Sequence, residues 1–392
     1  MPSITFSSSL ALTVFHTFAG GGGAVVGTTP GLVTFAIGDA DSWFVYSGGG
    51  LSTEDIPILV DDLNTYGAPA LQLSKSGLAG SDLGPLTGAA HLNDLILGGQ
   101  WTSADMAGFT GMIQLDHLGL HETQVDDSGL ASIGTHTNIE HLTLSRTLVN
   151  GSGTASLSGL SQLRELVLFQ TAFSDNACAL LSNVPSVRLL NLLDTNITDS
   201  GIANIAASIP NLLSLFVDRN SAVTDGSLGS LLSMANLNTL SLEGTSISNA
   251  GVTTLLGLSE LIHLDTKNLP ITDATCQTIT ADRANWQVLS FQNATMTNAA
   301  LSNFHSQQSL TSLSLRCSGI DSAGISSLSA CAGLVDLDLS GCILDDSALI
   351  HLASLSNLRI LNVTETGGAI TQAGIDVLVA AIPSLVVESD FS

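Results

Sequence analysis

The stretch Val187-Arg-Leu-Leu-Asn-Leu-Leu-Asp-Thr-Asn-Ile-Thr-Asp-Ser-Gly201 decides how this chain folds. Apolar residues stand at its first, fourth and sixth positions, and a Thr, an Ile and a Gly follow at fixed distances. The same order returns thirteen times, with central apolar residues 23 to 25 positions apart. Those central residues are Leu71, Leu95, Leu118, Leu142, Leu166, Leu190, Leu215, Leu240, Leu264, Leu289, Leu313, Leu337 and Leu361. A fixed period in this range predicts a solenoid, in which each unit buries its apolar side only against its neighbours.

Each unit divides into a predicted strand and a predicted helix. The pattern Leu-x-x-Leu-x-Leu predicts a short parallel strand whose leucines point into the core. A further apolar residue then precedes a Ser, Thr, Asn or Asp, which are the residues that best cap a helix N-terminus. The predicted caps are Asp126, Asn150, Ser174, Thr198, Thr224, Ser248, Thr272, Thr297, Asp321, Asp345 and Thr371.

Acidic residues are common where these helices begin. They are Asp126-Asp127, Asp199, Asp225, Asp273 and Asp345-Asp346. A ladder of calcium sites is one interpretation, but Ser, Thr and Asn take the same places freely. We therefore predict that these carboxylates cap the helices and offset the positive charge at the helix ends.

The chain resembles the leucine-rich repeat proteins, through units that read Leu-x-x-Leu-x-Leu-x-x-Thr-x-Ile-Thr-Asp-x-Gly. Leu237, Leu240, Leu242, Thr245 and Ile247 give a second clear example, continued by Ser248, Asn249 and Gly251. The pattern is similar to the cysteine-containing and bacterial repeats of that superfamily and covers about residues 68–388. The resemblance implies an α/β horseshoe with a concave parallel sheet and short convex helices, used to bind protein or glycan.

Residues 1–50 lack the repeat, which places a domain boundary between them and residues 51–392. Short β-prone runs occur at residues 5–6, 10–15, 32–37 and 43–46, so we predict a small β-structure that caps the solenoid or anchors it in an assembly. A helix is predicted from Ser52 to Gly67, with Ile56, Ile58, Leu59 and Leu63 as its apolar face. At the other end, residues 384–390 begin like a strand and turn polar, which predicts a terminal cap.

The composition restricts the possible partners. There are 34 acidic residues against 9 Lys plus Arg, a formal net charge of −25. Such a chain repels nucleic acid and anionic lipid, and no apolar run is long enough to span a bilayer, so neither nucleic-acid binding nor membrane insertion is expected. No cleaved signal peptide is recognised, yet the lysine-poor surface favours an extracellular, cell-surface or virion location. The five cysteines are predicted to be buried free thiols rather than disulfides.

One row of strand residues brings together several titratable side chains. Asp94, His117, His141 and Glu165 hold the same position in four successive strands, about 4.8 Å apart if the strands pair in parallel. Imidazoles and carboxylates so placed are typical of a transition-metal site or of a pH-sensitive contact, although a solvated surface is also consistent with them. The further candidates for contact with a partner are Asp116, His121, Glu140, Arg164, Phe169, Arg188, Phe216, Arg316 and Arg359.

No nucleophile elbow, phosphate-binding loop or His-Glu-x-x-His motif occurs, so no catalysis and no cofactor are predicted. The leading hypothesis is non-catalytic recognition of a protein or glycan through the concave face. The alternative is a structural surface component of a virion, filament or cell envelope, anchored by residues 1–50. A third hypothesis is a metal-dependent hydrolase that uses Asp94, His117, His141 and Glu165.

Overall fold

The structure is a computed structural model that describes residues 3–17, 23–36, 42–47, 50–75, 78–317, 319–367 and 369–390. Contacts divide the chain into two compact units. The first holds residues 1–195 and 207–209, and the second holds residues 196–206 and 210–392. In each unit the repeated element is a strand, a turn and a short helix.

The first unit contains eleven strands among the described residues. Strands β6 to β11 pair in parallel, with Leu71, Leu95, Leu118, Leu142, Leu166 and Leu190 side by side. The strands are β1 Ser3–Ser8, β2 Thr13–Thr17, β3 Gly23–Thr28, β4 Gly31–Ala36, β5 Ser42–Ser47, β6 Ala70–Ser74, β7 Asp94–Gly98, β8 His117–Gly119, β9 His141–Thr143, β10 Glu165–Val167 and β11 Leu189–Asn191. The helices are α1 Ile56–Tyr66, α2 Leu130–Ile133 and α3 Asp175–Ala179, with 3₁₀ helices at Thr53–Asp55, Gly80–Gly88, Ser103–Phe109, Thr154–Gly159 and Leu180–Asn183.

The second unit repeats this pattern with eight parallel strands, each paired with the next in sequence. They are β12 Ser214–Phe216, β13 Thr239–Ser241, β14 His263–Asp265, β15 Val288–Ser290, β16 Ser312–Ser314, β17 Asp336–Asp338, β18 Ile360–Asn362 and β19 Val386–Glu388. The helices are α4 Asp199–Ser208, α5 Leu228–Ser233, α6 Asn249–Thr254, α7 Asp273–Asp282, α8 Ser322–Ile325, α9 Asp346–Leu352 and α10 Gln372–Ala381, with 3₁₀ helices at Asp225–Ser227, Leu255–Gly257, Asn298–Ser306 and Ser326–Ala330.

The core consists of the leucine positions, as the sequence predicts. All thirteen central leucines are at most 1% exposed. The apolar residues before the helix caps are also buried, from Val125 to Ile370. The five cysteines are buried and free, which confirms the sequence prediction, and burial raises the pKa of the Cys178 thiol to about 12. Because each fully buried leucine contributes about 1.5–3 kcal/mol, the repeated apolar positions are the main source of stability.

Most of the predicted helix caps form. The side chains of Ser174, Thr224, Ser248, Thr272 and Thr371 each accept a hydrogen bond from a first-turn amide. Asp345 does the same for the amide of Ser347. Each of these bonds satisfies an amide that has no partner within the helix. The prediction was wrong for Asp126 and Asn150, which accept from the amides of Ser128 and Ser152 in a turn, because the helices that follow begin only at Leu130 and Thr154.

The acidic residue one place after the cap lies in the first helical turn, where its charge faces the positive helix end as predicted, but the prediction that it caps its own helix was wrong. Asp199, Asp225, Asp273 and Asp346 each accept hydrogen bonds from the backbone amide and the hydroxyl of the cap in the following repeat. Asp127 likewise accepts from the amides of Asn150 and Gly153. These carboxylates therefore join neighbouring repeats, because the next helix start offers amide donors within reach.

The N-terminal segment shares a sheet and a core with the first repeats. β5 pairs in parallel with β6, and β2 pairs antiparallel with β3 and β5. Phe6 lies on β1, which pairs antiparallel with β4, and is buried against Trp43 and Tyr66, with ring centroids 5.8 and 5.0 Å away. The strand β3 was not predicted, and residue 37 of the predicted run 32–37 lies outside the described residues.

Helix α1 shows one further error of the sequence analysis. Ile56, Leu59 and Leu63 are buried as expected, but Ile58 is 42% exposed. At 100° per residue, Ile58 lies about 200° around the helix from Ile56 and so faces away from the core. Gly67 ends the helix as predicted, in the left-handed conformation with φ 65°. Among the helices that the structure describes, none combines the length and apolarity needed to cross a bilayer.

Candidate functional site

Four candidate residues line up on neighbouring strands of the first unit. Asp94, His117, His141 and Glu165 occupy equivalent positions of β7, β8, β9 and β10 in the parallel register. We call these four residues the His row. Each residue of the row is next in sequence to a buried central leucine. Because successive side chains of a strand point to opposite faces, the His row points away from the core. The predicted side-by-side arrangement is confirmed.

The His row forms two ion-pair contacts. Nδ1 of His117 lies 2.9 Å from Oδ1 of Asp94, and Nδ1 of His141 lies 3.0 Å from Oε2 of Glu165. The two imidazole rings stand edge to face, with centroids 6.1 Å apart. Each histidine therefore faces a carboxylate on one side and the other histidine on the opposite side.

The surroundings of His117 favour its charged form. The Asp94 carboxylate raises the pKa of His117 above its usual 6.5, burial opposes this effect, and the charges of Glu165 and Asp116 add to it. The side chain is 30% exposed, so solvent screens these charges only in part. Protonation of His117 consequently strengthens its contact with Asp94.

The geometry gives no support to the metal hypothesis. A transition-metal site needs at least three ligands converging on one point. Among the described residues, no group of three or more His, Cys, Asp or Glu side chains is placed to hold a metal ion. The carboxylates of Asp94 and Glu165 instead face Nδ1 of His117 and of His141, as separate pairs.

A second row of polar residues runs along the turns that follow the strands. Glu122, Arg146, Gln170 and Asp194 all have positive φ, between 51° and 56°. Arg146 donates to Glu122 at 2.5 Å and to Gln170 at 2.7 Å, and Gln170 donates to Asp194 at 2.9 Å. We call these four residues the turn ladder. Arg146, followed by His121, lowers the pKa of the Glu122 carboxyl.

The turn ladder connects to the candidate residues His121 and Phe169. Nε2 of His121 lies 3.3 Å from Oε1 of Glu122. The Arg146 guanidinium lies 5.1 Å from the centre of the Phe169 ring, within the range of a cation–π contact. The turn ladder therefore places a histidine at one of its members and an aromatic ring at another.

The remaining candidates are more dispersed. Asp116 accepts a hydrogen bond from Asn93 at 3.0 Å, and Nε of Arg164 lies 3.5 Å from Oε2 of Glu140. Arg188 donates to the carbonyls of Pro185 and Val187, so its guanidinium is partly engaged by its own turn. Each of these residues immediately precedes a strand: Asp116 precedes β8, Glu140 precedes β9, Arg164 precedes β10 and Arg188 precedes β11.

Three candidates belong to the second unit and are described separately. Phe216 lies on β12 and is partly exposed. Arg316 forms an ion pair with Glu365 at 2.5 Å. Arg359 donates to the carbonyls of Ser356 and Leu358, as Arg188 does in its own turn.

The turn ladder was not predicted from the sequence, although a signal for it is present. The equivalent slot holds Gly99, Gly244 and Gly341, all with positive φ, and Asn268 and Asn293 share this conformation. Glycine and asparagine tolerate the left-handed region best. Glycine or asparagine four places after the central leucine therefore indicates a left-handed turn at this position of the repeat. In the repeats of the turn ladder, polar or charged residues occupy the same position.

Comparison with known proteins bears on the fold. No protein-family model and no curated protein matches the chain. A crystal structure of an internalin (InlF) from Listeria monocytogenes strain 4b F2365 is similar, with 19% identity and a TM-score of 0.54, over 87% of this chain and 94% of that chain. A TLR13 structure, solved as a complex with ssRNA13, gives 17% identity and a TM-score of 0.48. It covers 87% of this chain and 49% of the TLR13 chain.

The chain therefore has the leucine-rich repeat fold: an α/β solenoid of parallel strands with short helices, preceded by a β-rich segment. The likeness to the internalin structure is too distant to carry more than the fold. The narrower resemblance to cysteine-containing and bacterial repeats stays a prediction.

Proposed function

We propose that this chain is a non-catalytic binding scaffold that engages a protein or glycan through the outward face of its strands. The observation that supports this most directly is the register of the His row beside the turn ladder in the first unit. A rigid core of buried leucines holds these polar side chains in fixed positions. Pre-positioned side chains lose little conformational freedom on binding, which favours recognition.

The proposed contact surface comprises the candidates of the first unit, with Phe216 as a separate candidate in the second. Its charges are mixed, since Glu140, Arg164 and Arg188 immediately precede strands β9, β10 and β11, and Glu165 lies on β10. Such a surface provides hydrogen-bond donors and acceptors for a polar partner. We propose an extracellular, cell-surface or virion location, because the internalin-like fold and the lysine-poor composition suit exposed proteins.

The test compares two triple variants of the full chain on a glycan array and a phage-displayed peptide library. The face variant carries His117→Ala, His141→Ala and Glu165→Ala. The matched control carries His91→Ala, His305→Ala and Glu54→Ala, which removes the same residue types from exposed positions elsewhere. We expect ligands selected on the unmodified chain to lose about tenfold or more in affinity only for the face variant. Absence of any selected ligand, or equal losses in both variants, would contradict the proposal.

A structural role anchored by residues 1–50 is the second candidate function. It is favoured by the exposed Val25, which is 57% accessible on β3, a strand that pairs only with β2 among the described strands. Val25→Asp changes this surface without entering the core. If light scattering shows that the chain self-assembles and that Val25→Asp abolishes the assembly, the structural role is supported. If residues 1–50 serve only as a cap, the variant leaves the association state unchanged.

A further inference from the structure

A polar cleft lies beside the turns of the second unit. Its volume is about 590 Å³, within the range of sites that hold small ligands. Four of the residues that line it come from four successive repeats: Asn293, Arg316, Gly341 and Glu365. We call these four residues the turn cleft. All of them belong to the second unit, so this surface is separate from the His row.

The sequence explains why the turns leave room here. Four places after the central leucine, most repeats carry a side chain in the left-handed turn, as Asn293 and Glu365 do. Both of these side chains are exposed. The two repeats between them differ, because Cys317 is buried and Gly341 has no side chain. Two successive gaps in the row of turn side chains therefore open the cleft.

The side chain of Arg316 crosses the cleft. Its Nη2 donates to Oε2 of Glu365 at 2.5 Å, although the two residues are 49 positions apart in sequence. A Cβ added at Gly341 would lie 3.4 Å from Cγ of Arg316, so the absence of a side chain at Gly341 gives the arginine its path. Among the described residues, Nε and Nη1 of Arg316 have no acceptor. A guanidinium has five N–H donors, so donors remain for a ligand.

Oxygen acceptors stand in the two outer repeats of the cleft. Oε1 of Glu365 and Oδ1 of Asn293 accept no bond from the part of the chain that the structure describes. The Asn293 side chain is held by its Nδ2, which donates to Asn268 at 2.7 Å. Arg316 and Glu365 are 40% and 62% exposed, so a ligand can reach both charged groups. The cleft thus offers donors with acceptors beside them.

The floor of the cleft is apolar. Ala294, Met296 and Cys317 line it, and each is at most 9% exposed. A ligand that fits this cleft therefore has one apolar face and an edge of groups that both donate and accept hydrogen bonds. A sugar ring has this character, since its C–H groups form an apolar face and its hydroxyls lie around the edge.

We propose that the turn cleft binds a neutral glycan through two neighbouring hydroxyl groups of one sugar ring. The hydroxyls accept from the free N–H groups of Arg316 and donate to the free oxygens of Glu365 and Asn293. The net charge of −25 repels anionic ligands. A cationic ligand would have to compete with Arg316 for Glu365. A neutral ligand meets neither obstacle.

The test measures the affinity of the full chain for three neutral probes by NMR titration: methyl α-D-mannopyranoside, methyl β-D-glucopyranoside and methyl β-D-galactopyranoside. We expect at least one of them to bind at concentrations up to about 50 mM. Methyl β-D-glucuronide and glycine are the anionic and zwitterionic comparison probes, and each should bind about fivefold or more weakly than the best neutral probe. Tighter binding of either comparison probe, or no binding of any neutral probe, overturns the proposal.

The first variant carries Arg316→Gln and Glu365→Gln, which together leave the net charge unchanged. It should bind the best neutral probe about tenfold or more weakly, because hydrogen bonds to two charged groups are lost. The matched control carries Arg219→Gln and Glu243→Gln, which removes another ion pair of the second unit, 3.6 Å long, outside the cleft. Its affinity should equal that of the unmodified chain. Equal losses in the two variants would contradict the proposal.

A second variant, Gly341→Asn, places a side chain in the cleft, and asparagine tolerates the left-handed turn. Gly244→Asn is its control, because Gly244 has φ 64° and an added Cβ there lies 3.8 Å from Cγ of Arg219. We expect about a tenfold loss of affinity only for Gly341→Asn. Circular dichroism verifies that each variant is folded. Equal affinities of the two glycine variants would overturn the proposal.

The face variant of the first unit separates this proposal from the function proposed above. It leaves the turn cleft intact and should bind the best neutral probe as the unmodified chain does. If the face variant loses that affinity and the cleft variants keep it, the glycoside binds at the His row. That result would support the proposed function and overturn the assignment of the turn cleft.

Discussion

The carboxylate of Asp199 holds Thr224 of the following repeat by two hydrogen bonds. Oδ1 accepts from the Thr224 amide at 2.7 Å, and Oδ2 accepts from its hydroxyl at 2.6 Å. A Cβ added at Gly226 would overlap the same carboxylate. Gly226 lies one place before the Gly slot of the repeat pattern. In that slot, Gly251 and Gly374 leave room in the same way for the carboxylates of Asp225 and Asp346 in the repeats before them.

The first prediction concerns this contact. We expect Asp199→Ala to cost about 1–3 kcal/mol of unfolding free energy, because the amide and hydroxyl of Thr224 lose a charged acceptor. Gly226→Ala should also cost about 1–3 kcal/mol, because its Cβ displaces the Asp199 carboxylate. Since both changes break the same contact, the double variant should be clearly less destabilised than the sum, as measured by urea denaturation.

Gly229 supplies the control for that double-mutant cycle. It lies in α5, and a Cβ added there meets nothing within 4 Å. Gly229→Ala should be neutral or stabilise the chain by up to about 1 kcal/mol through helix propensity. Additive effects of Asp199→Ala and Gly226→Ala would contradict the coupling.

The second prediction concerns the left-handed turns. Arg219 has φ 58°, and its exposed side chain lies 3.6 Å from Glu243 in an ion pair of little energetic value. We expect Arg219→Gly to stabilise the chain by about 0.5–1 kcal/mol, because a side chain in the left-handed region costs about 1–2 kcal/mol.

Gly244 holds the equivalent slot one repeat later, with φ 64°, and an added Cβ there has only ordinary contacts. Gly244→Ala should therefore destabilise the chain by about 1 kcal/mol for backbone reasons alone. Chemical denaturation of both variants checks the pair. Changes of the same sign would refute a backbone origin.

The sequence predicted the strands, the buried leucines and most of the helix caps because a period of 23 to 25 residues repeats each signal many times. It failed where side chains of different repeats interact. Asp199 looks like a helix-end residue within its own repeat, and its bonds to Thr224 emerge only when repeats stack. The strand β3 escaped notice because its run of Ala24, Val25 and Val26 is short and lies between glycines.

For the His row, too, the positions of the residues were predictable from the sequence but their side-chain contacts were not. Spacing alone placed His117 and His141 side by side, because equivalent residues of parallel strands are adjacent. Spacing could not say whether the imidazoles would share a metal ion or turn to separate carboxylates. Side-chain rotamers decide that, and here each histidine pairs with its own acidic neighbour.

The third prediction is a pH dependence of stability centred on His117. Its folded-state pKa is raised, so its contribution is fully present below the unfolded value of about 6.5 and is lost as pH rises through the folded pKa. The groups that face it are Asp94 on β7, Asp116 beside β8, His141 on β9 and Glu165 on β10.

We expect the His117 pKa, followed by NMR, to fall in an Asp94→Asn variant, because the first cause of its elevation is removed. The decline in melting temperature above pH 6.5 should be smaller in Asp94→Asn than in the unmodified chain. His117→Gln identifies the resonance. An unchanged titration of His117 in Asp94→Asn would show that the contact with Asp94 has no electrostatic consequence.

The fourth prediction compares the two lysines of the chain, Lys75 and Lys267. Nζ of Lys75 lies 2.5 Å from Oδ2 of Asp105 and 5.1 Å from the centre of the Trp101 ring, and only 19% of its side chain is exposed. Burial acts to raise the pKa of Asp105, but the bonds from Lys75, Thr102 and Gly80 outweigh it and lower that pKa. Asp105 is therefore a buried anion that Lys75, Thr102 and Gly80 stabilise together.

Lys75→Met should cost about 2–4 kcal/mol of unfolding free energy, because it leaves the Asp105 carboxylate charged and without its cation. Lys267→Met is the matched control, since Lys267 contacts Asp265 at 3.2 Å with 30% of its side chain exposed, and it should cost less than about 1 kcal/mol. The loss in Lys75→Met should shrink as the pH is lowered and Asp105 takes up a proton. Equal losses in the two variants, measured by urea denaturation at neutral pH, would mean that burial adds nothing to the Lys75–Asp105 contact.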